Sequence, residues 1–317
     1  MAHSPAPRPR MAGRAGRRDR VTVAHAQTCA RLAVMADRTV PTNVSDTARW
    51  VAAYRARETA RPDAVFRDPL ADRLAGPQGY AIADAAPSLM RNGWPVVTRT
   101  KLIDDLIAKS IAAGCDRVLN LAAGLDTRPY RLELPPGLLW IEADLPEMVA
   151  EKDAALAGET PRCVLRRHSV DLADDSARKA FLDEALGPHD QTGAASKALV
   201  LTEGLLVYLD NATVTRLAQD LARPEIAWWI ADLATRITRG RAGSVFENAP
   251  LRFEPSNGAG FFEELGWQIT DLEQLMVWAR KLRRLPLVLR PFSYLPQPNP
   301  RQPGRTPWSA VIRFQHR

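Results

Sequence analysis

Short apolar runs alternate with helical stretches between residues 117 and 233, and this alternation is the strongest constraint on the fold. Each run has the length and composition of a buried strand, and the stretches between runs have apolar residues at helical spacing. Strands and helices that alternate in this way form a parallel sheet with helices on both of its faces. The predicted strands are 117–122, 138–143, 163–170, 198–202 and 226–233, and the predicted helices between them are 144–157, 174–186 and 211–222.

Helical segments precede this core, and a mixed segment follows it. The region 236–262 has no clear period and contains Asn257-Gly258, which is typical of an insertion or a lid. The region 286–307 contains seven prolines, so we expect an extended loop there. Outside the core the sequence predicts helices at 45–60, 69–76, 96–113 and 272–285, and strands at 267–270 and 309–314.

The segments together predict one doubly wound, Rossmann-like α/β domain over residues 39–317. Hydrophobic residues make up 46% of the chain, which suits a globular domain with a full core. The expected parts are a helical cap at 39–113, a cofactor-binding core at 114–235, the lid at 236–262 and the C-terminal part of the sheet at 263–317.

The excess of basic residues belongs to the N-terminal segment rather than to this domain. Residues 1–34 contain seven arginines and one aspartate, so they carry +6 of the formal net charge of +7. We expect residues 1–38 to be a disordered basic tail, with a transit peptide or a nucleic-acid-binding arm as the alternative. The nearly neutral body predicts no nucleic-acid partner, and the lack of an 18-residue apolar run predicts no membrane partner.

Cysteine and histidine are too few and too scattered to indicate a metal site. The three cysteines lie at 29, 115 and 163, with no pair at the spacing of metal ligands, and the five histidines do not cluster with them. An odd count of cysteines also argues against a disulfide framework. We therefore expect no metal and a reducing, cytoplasmic setting.

A turn with a single glycine follows the first predicted strand, in the segment N-L-A-A-G-L-D-T-R at 120–128. Ligands of doubly wound folds bind beyond the carboxyl ends of the strands, and small residues let the backbone approach them closely. A dinucleotide favours the longer G-x-G-x-x-G signature, and Asp126 would repel its pyrophosphate. Unless this is an ordinary strand–helix turn, Ala122 and Gly124 favour a ligand without phosphates, such as S-adenosylmethionine.

Acidic residues follow the second, third and fourth predicted strands. Asp144 or Glu142 could accept hydrogen bonds from both ribose hydroxyls, and Asp144 could instead cap the next helix. Asp171 and Leu172 could bind the adenine amino group and flank its ring, or Asp171 could be a cap. Glu203 needs a cation or a donor, because an unpaired buried carboxylate is costly. The sulfonium or amino group of S-adenosylmethionine would satisfy it, and so would a structural ion pair.

Three further residues are candidates for chemistry at this edge of the sheet. Arg99, in the third predicted helix, could bind the carboxylate of the cofactor with two parallel hydrogen bonds. Tyr208 and His168 are the candidates for a general base, although His168 is equally compatible with a structural position. The sequence contains no assured catalytic base.

Several segments in one order resemble the leucine carboxyl methyltransferase family, including its bacterial members of unassigned substrate. The resemblance covers roughly 45–270 and, weakly, the last predicted strand. The matching segments are T-A-R-W-V-A-A-Y-R-A-R-E at 47–58, F-R-D-P-L-A at 66–71, R-T-K-L-I-D-D at 99–105, V-L-N-L-A-A-G-L-D-T-R at 118–128, W-I-E-A-D-L-P at 140–146, D-L at 171–172, E-G-L-L-V-Y-L at 203–209 and F-F-E-E-L-G-W at 261–267.

The resemblance implies a class I methyltransferase fold with a seven-stranded, mostly parallel sheet and S-adenosylmethionine as cofactor. One departure concerns the turn, where the family usually has Gly-Ala-Gly and this chain has Ala122 in place of the first glycine. The added methyl group could narrow the approach of the cofactor. The family's binding roles would fall on Arg99 for the methionine carboxylate, Ala122 and Gly124 for the turn, Asp144 for the ribose, Asp171 and Leu172 for adenine, and Glu203 for the methionine end.

These observations predict O-methylation of a carboxyl or hydroxyl group on a small molecule. A carboxylate needs no general base, whereas a hydroxyl acceptor does, so carboxyl acceptors are slightly favoured. Residues 204–210, 236–262 and the N-terminal helices are expected to select the acceptor. Two alternatives stay open: a non-catalytic binding module, suggested by Ala122, and an NAD-dependent oxidoreductase, which the short glycine signature and Asp126 disfavour.

Overall fold

Seven strands pair into a single sheet in the computed structural model. They are β1 (Arg117–Leu121), β2 (Leu139–Asp144), β3 (Val164–Ser169), β4 (Ala198–Thr202), β5 (Ile226–Ala234), β6 (Trp267–Gln274) and β7 (Ser309–His316). Their order across the sheet is β3-β2-β1-β4-β5-β7-β6. Strands β1 to β5 are parallel, and β7 runs antiparallel to both β5 and β6. The predicted doubly wound, mostly parallel sheet is therefore confirmed.

The structure describes Met1 and residues 44–189, 193–234, 252–303 and 308–316. The predicted basic tail and most of the predicted lid lie outside the described residues. Residues 40–317 form one compact unit.

Helices cover both faces of the sheet. They are α1 (Val44–Thr59), α2 (Ala71–Ala85), α3 (Trp94–Ala112), α4 (Arg128–Arg131), α5 (Pro146–Ala155), α6 (Asp175–Leu186), α7 (Asn211–Asp220), α8 (Gly260–Glu264) and α9 (Leu275–Lys281). Helices α6, α7 and α8 share one apolar core with the sheet, and α3 and α9 share the other. None of the described helices is both long and apolar enough to cross a bilayer.

Two elements differ from the predicted boundaries for identifiable reasons. Helix α2 continues nine residues beyond the predicted 69–76, because a kink at Gly76 (φ 54°) and Pro77 redirects the helix rather than ending it. Strand β6 extends the predicted strand 267–270 to residue 274 and so takes residues 272–274 from the predicted helix 272–285. Its partner β7 supplies an antiparallel ladder through Glu273↔Val311, which the local periodicity could not reveal.

The proline-rich segment predicted as an extended loop contains two short 3₁₀ turns, Leu287–Leu289 and Pro291–Tyr294. Prolines fix φ near the value that such turns require, so they are compatible with tight turns as well as with extended backbone. The prediction of a continuous extended loop over 286–307 was therefore wrong in this part.

The strand order places a topological switch point between β1 and β4. The chain moves outward from β1 to β2 and β3 on one side of the sheet and from β4 to β5 on the other. Ligands of such sheets bind in the crevice at the carboxyl ends of the strands where the order reverses. The turn after β1, the end of β2 and the residue after β4 therefore meet at one edge.

Candidate cofactor site

The carboxylate of Asp144 connects the end of β2 to the turn after β1. Its Oδ2 accepts a hydrogen bond from the backbone N–H of Gly124 at 2.6 Å, and its Oδ1 accepts one from Leu145 at 2.8 Å. Asp144 does not cap α5, since the N-cap position is Leu145 and no side chain caps it. Burial raises the pKa of Asp144, and the two backbone hydrogen bonds oppose that rise.

Glu142, the other acid considered for the ribose, pairs with Arg167 and Lys152. Its Oε2 accepts a hydrogen bond from Arg167 Nε at 2.8 Å and lies 2.8 Å from Lys152 Nζ. Glu142 and Lys152 are both buried. These cations balance the charge of Glu142 through Oε2, but its buried Oε1 has no hydrogen-bond partner among the described residues. Glu142 therefore keeps an acceptor at this edge, as Asp144 does.

The turn after β1 contains a strained residue. Ala122 has a φ of 55° and Gly124 a φ of 46°, both in the left-handed region. A residue with a Cβ costs about 1–2 kcal/mol in this region, whereas glycine adopts it freely. The turn therefore keeps the geometry that glycine would normally provide, at a cost in conformational strain.

Arg99, from α3, points at the switch point and binds two carboxylates there. Its Nε donates to Glu203 Oε1 at 2.9 Å, and its Nη1 donates to Asp232 Oδ2 at 2.9 Å. Two of the five guanidinium N–H groups are used in this way, and the other three have no acceptor among the residues that the structure describes. The second oxygen of Asp232 accepts from the backbone N–H of Gly204 at 2.6 Å.

Arg128 lies at the centre of the charged groups and is only 2% exposed. Its Nη1 donates to Glu203 Oε2 at 2.7 Å and to Asp126 Oδ2 at 2.8 Å, and its Nε donates to Asp104 Oδ1 at 2.7 Å. Arg131 also donates to both oxygens of Asp104. We call this set the arginine–carboxylate cluster: Arg99, Arg128, Arg131, Asp104, Asp126, Glu203 and Asp232.

The cluster holds its acids in the charged form. Burial opposes ionisation of Asp126 and Glu203, but nearby cations outweigh it and lower the pKa of both. For Asp126 these cations are Arg128, Lys152 and Arg131. For Glu203 the lowering charges belong to Arg128 and Arg99. Four carboxylates face three guanidinium groups, so the cluster has one excess negative charge. A cationic ligand would balance it.

Asp171 and Leu172 follow β3 at the same edge. The backbone N–H of Val170 donates to the carbonyl of Asp144 at 2.8 Å, which joins this segment to the end of β2. Asp171 accepts one hydrogen bond, from the N–H of Ala173 at 2.9 Å, and it is exposed. The cap of α6 is Asp174 rather than Asp171, so the helix-capping alternative for Asp171 was wrong.

The two candidate bases lie in different places. His168 packs its ring against Phe181 of α6, with ring centroids 5.6 Å apart, on the face of the sheet away from Arg99. Tyr208 lies in the turn after Glu203, close to the charge of Arg99. Burial raises the pKa of Tyr208, so its phenol stays protonated near neutral pH.

A small apolar cavity, with room for about one water molecule, opens beyond the carboxyl end of β5. The N–H of Arg252 donates to the carbonyl of Val207 at 2.7 Å, which ties the wall of the cavity to the turn after Glu203. This arrangement makes the cavity a candidate acceptor pocket. Its lining residues are Leu233, Ala234, Phe253, Glu254, Pro255, Gly258 and Trp308.

Sequence reasoning missed Arg128, Asp104 and Asp232 as members of the site. Arg128 ends the segment at 120–128, but nothing in the sequence assigns it a role. Asp104 has the pattern of an exposed acid on a helix. Asp232 carried the same signal as Glu203, an acid near the end of an apolar strand. That signal could have identified it.

Replacing Ala122 with glycine tests the strain in the turn. Relief of about 1–2 kcal/mol of left-handed strain exceeds the roughly 0.5–1 kcal/mol entropic cost of glycine. We therefore expect Ala122→Gly to raise the free energy of unfolding in urea by about 0.5–1 kcal/mol. Ala123→Gly, next to it and without a positive φ, is the control and should lower it by about 1 kcal/mol. If both variants lowered the free energy of unfolding equally, the inference that Ala122 is strained would be wrong.

Comparison with known proteins adds to this geometry. The family model described as leucine carboxyl methyltransferase matches residues 48–222, which is more than half of the chain. The match includes the turn after β1, Asp144, Asp171 and Glu203.

Curated relatives from three bacteria match most of the chain, and the name of each describes an S-adenosyl-L-methionine-dependent methyltransferase. The relative from Mycolicibacterium smegmatis is 32% identical over 72% of this chain and 85% of its own length. That from Frankia alni is 32% identical over 74% and 85%, and that from Streptomyces coelicolor is 30% identical over 78% and 92%. The chain belongs to the leucine carboxyl methyltransferase family.

Proposed function

We propose that this chain transfers the methyl group of S-adenosylmethionine to an oxygen atom of a small molecule, with carboxyl acceptors favoured over hydroxyl acceptors. The observation that carries the proposal is the arginine–carboxylate cluster at the switch point, with its excess negative charge and the spare donors of Arg99. S-adenosylmethionine has a sulfonium, an ammonium and a carboxylate, and hence a net positive charge. Membership of the family and the names of the relatives support the same cofactor.

The donor and acceptor groups fit the methionine end of this cofactor. The three unused N–H groups of Arg99 suit its carboxylate, and each oxygen of Glu203 has a second lone pair for its ammonium. The cluster is largely buried and already assembled, so little reorganisation is needed when a ligand binds.

The adenosine end would lie along the ends of β2 and β3. Both oxygens of Asp144 have a remaining lone pair for the ribose hydroxyls, next to the small residues Ala122 and Gly124. The second oxygen of Asp171 could accept the adenine amino group, with Leu172 against the ring. A small cavity beside Gly124 and Asp144, with room for about one water molecule, makes this region recessed.

For this reaction the protein mainly has to align the methyl donor with the acceptor and exclude water. When bound, S-adenosylmethionine supplies a methyl carbon that its sulfonium already activates. Arg99 and Glu203 would hold the donor end in one orientation beneath the apolar cavity past β5. The largely apolar lining of that cavity favours an acceptor with an apolar body. A carboxylate acceptor is favoured because Tyr208 stays protonated and His168 faces α6, so neither of these two candidate bases suits a hydroxyl acceptor.

Calorimetric titration with S-adenosylmethionine tests the cofactor and the role of Asp232. We expect binding by the wild-type chain and about tenfold weaker binding by Asp232→Asn, because that variant removes the excess charge and one anchor of Arg99. Asp271→Asn is the matched control, since Asp271 pairs with Arg313 away from this edge. Wild-type binding of NAD instead of S-adenosylmethionine, or of neither, would contradict the proposed cofactor.

The affinity for S-adenosylmethionine should depend on pH through Asp144. The ionised carboxylate accepts ribose hydroxyls and the protonated form loses an acceptor, so the affinity falls as the pH drops through the pKa of Asp144. Burial raises that pKa, so the fall should begin at a higher pH than for an exposed aspartate. A calorimetric pH series should show this step in the wild type and not in Asp144→Asn. If the affinity decreased in the same way in the wild type and in Asp144→Asn, a group other than Asp144 would be responsible.

A panel of carboxylic and phenolic acceptors with labelled S-adenosylmethionine tests the reaction. We expect transfer to oxygen, with carboxylic acids as the better acceptors, and a kcat for Tyr208→Phe within about threefold of wild type. A general base typically contributes about 10²–10⁴-fold, so a larger loss would identify Tyr208 as one. Methylation at nitrogen or carbon alone would rule out the proposed O-methylation.

A further inference from the structure

Exposed apolar side chains are concentrated in the segment between α9 and β7. Five large apolar residues within nine positions are more than half exposed: Leu287 (74%), Val288 (61%), Phe292 (56%), Tyr294 (71%) and Leu295 (58%). We call these five residues the apolar ridge. The other exposed large apolar residues of the described chain are scattered singly, at Met1, Leu89, Leu145 and Val164. A concentration of this kind marks an interaction surface, whereas single exposed residues do not.

The backbone of the ridge is held by local bonds. Its two 3₁₀ turns are separated only by Arg290, whose carbonyl accepts a hydrogen bond from Ser293 Oγ at 2.7 Å. The guanidinium of Arg280, on α9, lies over the Tyr294 ring at 4.2 Å from its centroid. Prolines 286, 291 and 296 further restrict the backbone. The apolar side chains are therefore presented to solvent by a fixed scaffold.

The surroundings of the ridge are basic. From residue 274 to residue 317 the sequence contains no aspartate or glutamate. Arg284, Arg301 and Arg313 pair with acids from elsewhere in the chain. Lys281, Arg283 and Arg290 are exposed, and within the described ranges none of these three forms an ion pair. Lys281 lies over the ring of Trp278, 4.0 Å from its centroid. Three exposed cations are thus close to the ridge in sequence, and none has a counter-charge among the described residues.

The charge distribution decides between possible occupants. A twofold contact between copies would place like cations close together. A nucleic acid would match the cations but leave the apolar side chains without a partner. The occupant is therefore anionic at its surface and apolar beneath.

We propose that the apolar ridge docks on the surface of a bilayer that contains anionic lipids. Leucine, valine and phenylalanine side chains would enter the boundary of the acyl chains, and Tyr294 suits the level of the headgroups. Lys281, Arg283 and Arg290 would face anionic headgroups. An acidic protein fits less well, because the ridge spans nine residues and a stable protein interface uses roughly 20–30 residues a side.

This contact revises the expectation, drawn from the sequence, that the chain has no membrane partner. That expectation rested on the lack of a spanning segment, which an interfacial contact does not need. Stable interfacial binding generally requires two signals, such as an apolar insertion and a basic patch. The ridge and its three cations provide both, and the arginines of residues 1–34 would add attraction to the same lipids.

Sedimentation of the full-length chain with lipid vesicles tests the proposal. We expect binding to vesicles of phosphatidylcholine mixed with phosphatidylglycerol, about tenfold stronger than to phosphatidylcholine alone, and weaker binding at high salt. The double variant Leu287→Ser, Phe292→Ser should bind at least about tenfold more weakly. The double variant Lys281→Gln, Arg290→Gln should bind the anionic vesicles roughly fivefold more weakly for each charge removed. The substituted side chains are exposed, so thermal unfolding and the affinity for S-adenosylmethionine should not change.

Matched controls separate the ridge from general surface effects. Leu89→Ser with Val164→Ser removes two exposed apolar side chains elsewhere, and Arg73→Gln with Arg216→Gln removes two exposed charges elsewhere. Both controls should bind like the wild type. The proposal would be overturned if the ridge variant bound vesicles as tightly as the wild type does. It would also be overturned if the wild type bound neutral vesicles as tightly as anionic ones. A dimer in sedimentation velocity that the ridge substitutions dissociate would overturn it too, because a second copy would then be the occupant.

Discussion

The buried guanidinium of Arg128 is the interaction on which the rest of the site depends. Removing an ion of this size from water costs several kcal/mol unless charged hydrogen bonds compensate. Arg128 donates them to Asp104 of α3, to Asp126 after β1 and to Glu203 after β4. These three carboxylates come from elements far apart in sequence. The cost of leaving the guanidinium unpaired therefore holds the helical cap and two strand ends in one arrangement.

The helical cap extends this arrangement toward the turn. Arg55 of α1 donates to the carbonyl of Leu125 at 2.7 Å and to Asp68 at 2.8 Å, and Thr127 donates to the same carboxylate at 2.6 Å. The turn after β1 is thus fixed from the cap side by Arg55 and from the sheet side by Asp144. Such bonding on two sides explains how Ala122 is kept in a left-handed conformation, because the neighbouring contacts outweigh a strain of about 1–2 kcal/mol.

The parts of the fold that could be predicted from the sequence are those set by local pattern. Strand–helix alternation predicted β1 to β5. Four of these strands are buried and largely apolar, as central parallel strands require, whereas the edge strand β3 is only partly buried. The acids at strand ends could also be located, because all carboxyl ends of parallel strands meet at one edge. The roles of Arg128 and Asp104 could not be predicted, since they depend on pairing between α3 and α4. The end of β6 was missed for the same reason: its last residues are strand only because β7 pairs with them.

The charge of the cluster also bears on which cofactor the switch point favours. Doubly wound sheets bind dinucleotides at the same place, usually with the pyrophosphate at a helix N-terminus. Here Asp126 lies between the glycine turn and α4, and its lowered pKa keeps it negatively charged. It would repel a pyrophosphate, and the cluster around it already has one more carboxylate than guanidinium groups. A cationic cofactor meets the opposite condition, because each positive group replaces a repulsion with an attraction. Electrostatics thus separates the two cofactors at a position where the shape of the sheet alone does not.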